Sequence, residues 1–144
     1  TAGPLARWIK DSDLVSLMAS IGVTVNFWHI ADAGKDSVDL LDRLVATYGA
    51  GPNYIVVKNL GRGSDFSLLE ESNALKKAMA LGGYAISLAQ LHEASMRKID
   101  RQNASFWSAI HTTSGPDALG MLERQRVKTW LKSAYATLDA LPLG

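Results

Sequence analysis

Cysteine is absent, and with it go disulfides, thiolate nucleophiles and thiolate metal sites. An excess of charge of one sign is missing too: fifteen Lys and Arg stand against fourteen Asp and Glu, a formal +1. This excludes a nucleic-acid binder working through net charge, although it leaves room for a local basic patch. No apolar run approaches the roughly 18–20 residues that a bilayer-spanning helix needs, so no membrane span is expected. The N-terminus has no basic segment followed by an apolar one, so no signal peptide is expected either. Internal repeats and low-complexity stretches are also lacking. What remains is an ordinary globular balance, 47% apolar and 20% charged over 144 residues, enough for one core-forming domain. The expectation is a cytoplasmic, single domain over 1–144.

Hydrophobic spacing divides the chain into alternating elements. Leu5, Trp8, Ile9, Leu14, Leu17, Met18 and Ile21 recur at helical intervals up to Gly22, with Asp11-Ser12-Asp13 able to re-cap midway. Val23 to Ile30 is β-branched and aromatic and predicts a strand. A helix capped by Asp36 or Ser37 follows, with Val38, Leu41, Leu44 and Val45 on one face. Tyr54-Ile55-Val56-Val57 predicts a strand buried on both faces. Ser64 is expected to cap a helix that reaches about Leu81 and buries Phe66, Leu68, Leu69, Leu75, Ala78 and Met79, with Gly82-Gly83 breaking it. Tyr84 to Leu88 is a third strand, followed by helices from His92 to Arg101 and from Phe106 to Ile110. Ser114-Gly115-Pro116-Asp117 is expected to start a final helix striped with Leu119, Leu122, Val127, Trp130, Leu131, Ala134, Leu138 and Leu141. Strands alternating with helices predict an α/β fold: a parallel sheet with flanking helices and a C-terminal helix.

Ligands of open parallel sheets sit beyond the carboxyl ends of the strands. Those ends are Asp32 to Asp36, Lys58 to Asp65 and Ala89 to His92. The middle loop, Lys58-Asn59-Leu60-Gly61-Arg62-Gly63, says most. Its glycines allow close backbone approach, Lys58 and Arg62 suit phosphate, and Asn59 offers a donor and an acceptor to a base edge. Its spacing is neither G-x-x-x-x-G-K-[ST] nor G-x-G-x-x-G. The three histidines, His29, His92 and His111, form no metal-ligand pattern, and no G-x-S-x-G elbow or other catalytic constellation is present. His29 is expected to be half-buried and hydrogen-bonded. The pair Glu70-Glu71 and the basic segments Met96 to Arg101 and Glu123 to Lys128 read as solvated helix faces.

The run Val56-Val57-Lys58-Asn59-Leu60-Gly61-Arg62-Gly63 is similar to the strand and loop V-V-x-N-x-x-R-G of the ParA/MinD group of deviant-Walker P-loop ATPases. Asp36-Ser37 with Leu40-Leu41, and Asp65-Phe66-Ser67, resemble more particularly the plasmid transfer and stability proteins of the StbB/TraL/MobD type. Tyr84 to Leu88 and the loop after it resemble the group's late strand, whose exit borders the base. The resemblance covers most of 1–115. It implies a partial three-layer P-loop fold, with Asn59 recognising adenine, Arg62, Leu91 and His92 beside the base, and Lys58, the phosphate candidate read from its own loop, close to the nucleotide. It further implies ATP and Mg²⁺ in an intact protein that forms a homodimer and engages plasmid DNA or a DNA-bound partner in partition, stability or conjugative mobilisation. The group's K-G-G-x-G-K-[ST] loop and its switch aspartates have no counterpart here, although Thr1-Ala2-Gly3-Pro4 looks like the sequel to a switch II Asp. The chain is therefore expected to be the C-terminal part of a larger nucleotide-binding domain, binding no cofactor and hydrolysing no ATP by itself. The alternatives are a non-enzymatic interaction module that docks a partner through its final helix, and a small enzyme acting on a phosphorylated molecule.

Overall fold

The computed structural model describes residues 2–143; Thr1, with which the truncated-start expectation begins, lies outside the described residues, as does Gly144. The chain is α/β and divides into two compact units, the second beginning at Leu88. Among the described residues no helix is long and apolar enough to cross a membrane.

The first unit opens with helices α1 (Ala2–Asp11) and α2 (Leu14–Ser20). The interruption expected at Asp11-Ser12-Asp13 falls at Asp13, which takes the left-handed conformation (φ 46°) before α2. Strand β1 (Asn26–Ala31) starts three residues later than Val23 and ends one later than Ile30. Its first residue pairs with Asn53 of β2 (Asn53–Asn59), and the Asn53 amide donates to Asn26 Oδ1 at 2.9 Å across the ladder. β3 (Tyr84–Leu88) completes an open parallel sheet in the order β1-β2-β3.

That order has a consequence for coverage. Crossovers of one hand that step the same way across a sheet deliver their helices to the same face. Helix α3 (Lys35–Tyr48) and helices α4 (Ser67–Glu70) and α5 (Asn73–Ala80) accordingly share one core with the sheet: Ala31, Leu41, Val45, Tyr54, Val56, Phe66, Leu69, Ala74 and Ala78. Register alternation sends Trp28 and Ile30 of β1 to the opposite face, where they are 43% and 57% exposed. Phe27 stays on the helix side, its ring centroid 4.8 Å from Tyr48 and 6.3 Å from Tyr54.

Two helix boundaries differ from expectation for local reasons. α3 is capped by Gly34, which has no side chain, while Asp36 lies in its first turn. Ser37 is instead buried and accepts a hydrogen bond from the Asp32 amide at 3.2 Å. The helix expected from Ser64 to Leu81 is two, because Ser72 caps α5 by accepting from Leu75 N. Splitting the run turns Leu68 (59% exposed) and Met79 (44%) outward, so neither belongs to the core.

The second unit holds α6 (Glu93–Arg101), α7 (Phe106–His111) and α8 (Met121–Asp139). Its core is Leu91, Ile99, Ala109, Leu119 and Val127, with Phe106, Trp130 and Leu131 packed on it. α8 begins at Met121 rather than at Pro116. Glu123 reaches back to the Gly120 amide at 2.9 Å, and this cap fixes the start. Leu122, on the expected stripe, is 73% exposed.

Candidate functional site

The carboxyl ends of β1 and β2 lie side by side in the first unit. After Ala31 the chain turns through Asp32, whose Oδ1 accepts from Gly34 N at 2.8 Å. After Asn59 it makes a 3-10 turn, Leu60–Arg62, capped by Asn59 Oδ1 accepting from Gly61 N at 3.0 Å. The two turns meet at Gly63 and Ala33. Gly63 has φ 144°, and a Cβ there would stand 2.7 Å from Ala33 Cβ. Gly63→Ala is expected to destabilise the fold by about 2 kcal/mol, from backbone strain and overpacking together. In thermal melts, Ala33→Gly should restore the steric part of that loss and leave the φ strain.

Lys58, Asn59 and Arg62, three of the candidate residues, fall on this one edge. They are not equally available to a ligand. Lys58 Nζ sits 2.6 Å from Glu70 Oε1, so its charge is already met, and Glu70 is a partner rather than a free solvated carboxylate. With Glu70 about half exposed, such a pair is worth under about 1 kcal/mol. Asn59 has its amide plane fixed by Gly61, which leaves Nδ2 and the second lone pair of Oδ1 for a visitor. Arg62 lies exposed at the end of the turn.

His29 lies on β1 within the helix-covered face, and burial pushes its pKa below the ordinary value of 6.5. Its half-burial agrees with expectation, but its Nε2 is buried without a hydrogen-bond partner. The unfolded chain takes up this proton near pH 6.5 and the folded chain only at lower pH, so the unfolded state binds more protons in between. Stability is therefore expected to fall as pH drops below about 6.5, by at most about 1.4 kcal/mol per pH unit for one group. Urea midpoints between pH 7 and 5 should show this fall, and His29→Gln should flatten it.

Leu91 and His92 belong to the second unit. Leu91 is 8% exposed and packs into that unit's core, so its side chain offers little surface. His92 stands at the N-cap position of α6 and joins a chain of contacts: Nδ1 lies 3.2 Å from Ser95 Oγ, and Nε2 lies 3.2 Å from Arg126 Nη1. His92 and Arg126 line an open cleft of about 420 Å³ with Gln90, Gln125, Thr129 and Trp130. The Trp130 indole is anchored through Nε1 to the Ala89 carbonyl at 2.6 Å and packs on Phe106 at 5.2 Å. Arg126 carries no signal in the sequence beyond a basic segment. The contact that distinguishes it spans 34 positions, out of reach of local spacing.

The basic segments are largely solvent-exposed, as expected, and several of their charges are paired. Lys98 pairs with Glu123 at 2.8 Å, which holds the Glu123 carboxyl below the usual range with help from the Gly120 amide. Arg97 pairs with Glu93, and Arg124 donates to the Leu119 carbonyl. Comparison of the chain with protein-family models, with curated proteins and with solved structures gives no match.

Proposed function

We propose that the chain is part of a nucleotide-binding α/β protein of the ParA/MinD kind, a deviant-Walker P-loop ATPase, in which the Asn59–Arg62 turn borders an adenine base. The observation that supports this is the Asn59 amide at the carboxyl end of the middle strand of a parallel sheet, held by Gly61 in one plane. So held, Nδ2 donates to a ring nitrogen and Oδ1 accepts from the exocyclic amine of adenine, a pairing that the N7/O6 edge of guanine does not offer. Lys58 is committed to Glu70, so Arg62 is the freer cation for a phosphate. In the intact protein this reading brings ATP, Mg²⁺ and a nucleotide-dependent homodimer that engages plasmid DNA or a DNA-bound partner. A phosphate cradle and its Lys would come from a K-G-G-x-G-K-[ST] loop, which this chain does not contain. Reading the coding sequence that precedes Thr1 therefore tests the reading at once, and such a loop is the expected result.

On the chain itself the test is a titration with AMP and GMP followed by amide NMR. AMP is expected to shift the Asn59 side-chain, Gly61 and Arg62 signals, with GMP weaker by about tenfold. Asn59→Ala should remove that preference. Without the phosphate cradle the chain holds ATP no better than AMP, so the titration reads the base contact alone, and shifts absent from this turn at millimolar AMP overturn the reading. A second reading, an interaction module without a nucleotide, is favoured by the exposure of Trp107 (70%), Met121 (78%) and Leu122 (73%) in the second unit. It predicts no nucleotide response and a partner that protects these three side chains.

A further inference from the structure

We infer that the cleft between the segment 89–92 and α8 is a binding site for a small oxyanion carried on a flat apolar body, such as an aryl phosphate or aryl carboxylate. Every residue of this site belongs to the second unit, so the inference does not depend on the nucleotide reading of the Asn59 turn.

The argument starts from protons. A guanidinium only donates, so the Arg126–His92 contact requires His92 Nε2 to be the acceptor. The ring proton then resides on Nδ1 and is donated to Ser95 Oγ, a fully buried hydroxyl. Arg126 is thus held by a ring nitrogen rather than by a carboxylate. Among the described residues Arg126 has no carboxylate, a state it shares with Arg124, Lys128 and Lys132 of α8, but of these four only Arg126 lines the cleft. A positive charge is fixed at the wall of a cleft with one N–H used and four left. A planar fork of that kind suits the paired oxygens of a carboxylate or phosphate.

The remaining wall sets the rest of the ligand. Trp130 lies one helical turn beyond Arg126 on α8, its ring pinned at Ala89 and Phe106, so it offers a rigid aromatic surface at low entropic cost. Thr129 and Ser133 place hydroxyls along the same side of α8. The cleft, at about 420 Å³, is of a size that small ligands occupy. Charge at one point and an aromatic wall beside it select a flat body with an oxyanion at its end.

The test titrates the whole chain with phenyl phosphate, benzoate, inorganic phosphate and benzyl alcohol, following the Trp130 Nε1–H and Arg126 Nε–H signals by NMR. Both aryl anions are expected to move both signals saturably below about 1 mM, with inorganic phosphate and benzyl alcohol needing about ten times more. Arg126→Gln is expected to weaken the aryl anions about tenfold. His92→Leu should weaken them as well through loss of the acceptor, and His92→Gln, which keeps one, should recover part of that loss. No saturable shift by about 10 mM, equal affinity for either simple probe, or an unchanged affinity in Arg126→Gln overturns the inference.

Discussion

Gly83→Ala is expected to destabilise the chain by roughly 3 kcal/mol, the upper end of what a single added methyl costs by overpacking. A Cβ at this position would stand 2.7 Å from the Ala78 carbonyl oxygen and 2.9 Å from the Tyr54 carbonyl oxygen. Both obstacles are backbone, one at the end of α5 and one in β2, so neither moves as a side-chain tip would. Gly83 also donates to Ala78 O at 3.0 Å, and Gly82 donates to Met79 O at 3.0 Å, which together close α5 in the manner of a Schellman cap. Gly82 supplies the left-handed residue of that cap, with φ 84° and no atom within 4 Å of the place a Cβ would take. Gly82→Ala is therefore expected to cost only about 1 kcal/mol, through φ alone. Thermal unfolding of the two variants separates these causes. A drop on the order of 10 °C for Gly83→Ala and a few degrees for Gly82→Ala is the expected pattern. Equal drops would mean that backbone conformation, not the approach to Tyr54, sets the requirement for glycine here.

The same dipeptide shows what a linear reading can hold. Gly82-Gly83 is legible as a helix stop, because local φ preference is written in the residue itself. That Gly83 also lets a helix end lie against a strand carbonyl 29 positions earlier is a fact of packing, with no local mark. The strands follow the same division. Tyr84–Leu88 matches expectation residue for residue, and Tyr54–Val57 is the apolar centre of a strand that pairing extends to Asn53 and Asn59. Register explains why Val23–Val25 are not strand: the ladder begins where Asn26 meets Asn53. Ser64 caps no helix, because α4 starts at Ser67 with Asp65 Oδ1 accepting from Ser67 N and Ser72 caps α5, and Pro116 starts none because Glu123 sets the start of α8. At the sites, the Asn59 turn is legible as a Gly-rich strand exit. The commitment of Lys58 to Glu70 and the join of His92 to Arg126 are not, since both depend on which helices the fold brings together.

Leu91→Ala is the second change with a large expected effect, about 2–4 kcal/mol. Its position after β3 marks it as a strand-exit residue, which the resemblance sets beside a nucleotide, yet its side chain is 8% exposed and packs with Ile99, Ala109, Leu119 and Val127. Five buried apolar side chains are a small core, so truncating one removes a large share of what orders α6, α7 and α8. Leucine to alanine there loses both the transfer energy of three carbons and the contacts around the space they leave. Hydrogen exchange should report the loss as faster exchange of the α6 and α8 amides, alongside a lower melting temperature. His92 is its chain neighbour and points its ring at Ser95 and Arg126 instead, so a substitution there should spare most of the stability and act on the cleft. The pair of variants thus assigns packing and binding to adjacent residues. If Leu91→Ala left stability within about 0.5 kcal/mol of the parent and altered ligand affinity instead, the side chain would face the ligand and the core assignment would fall.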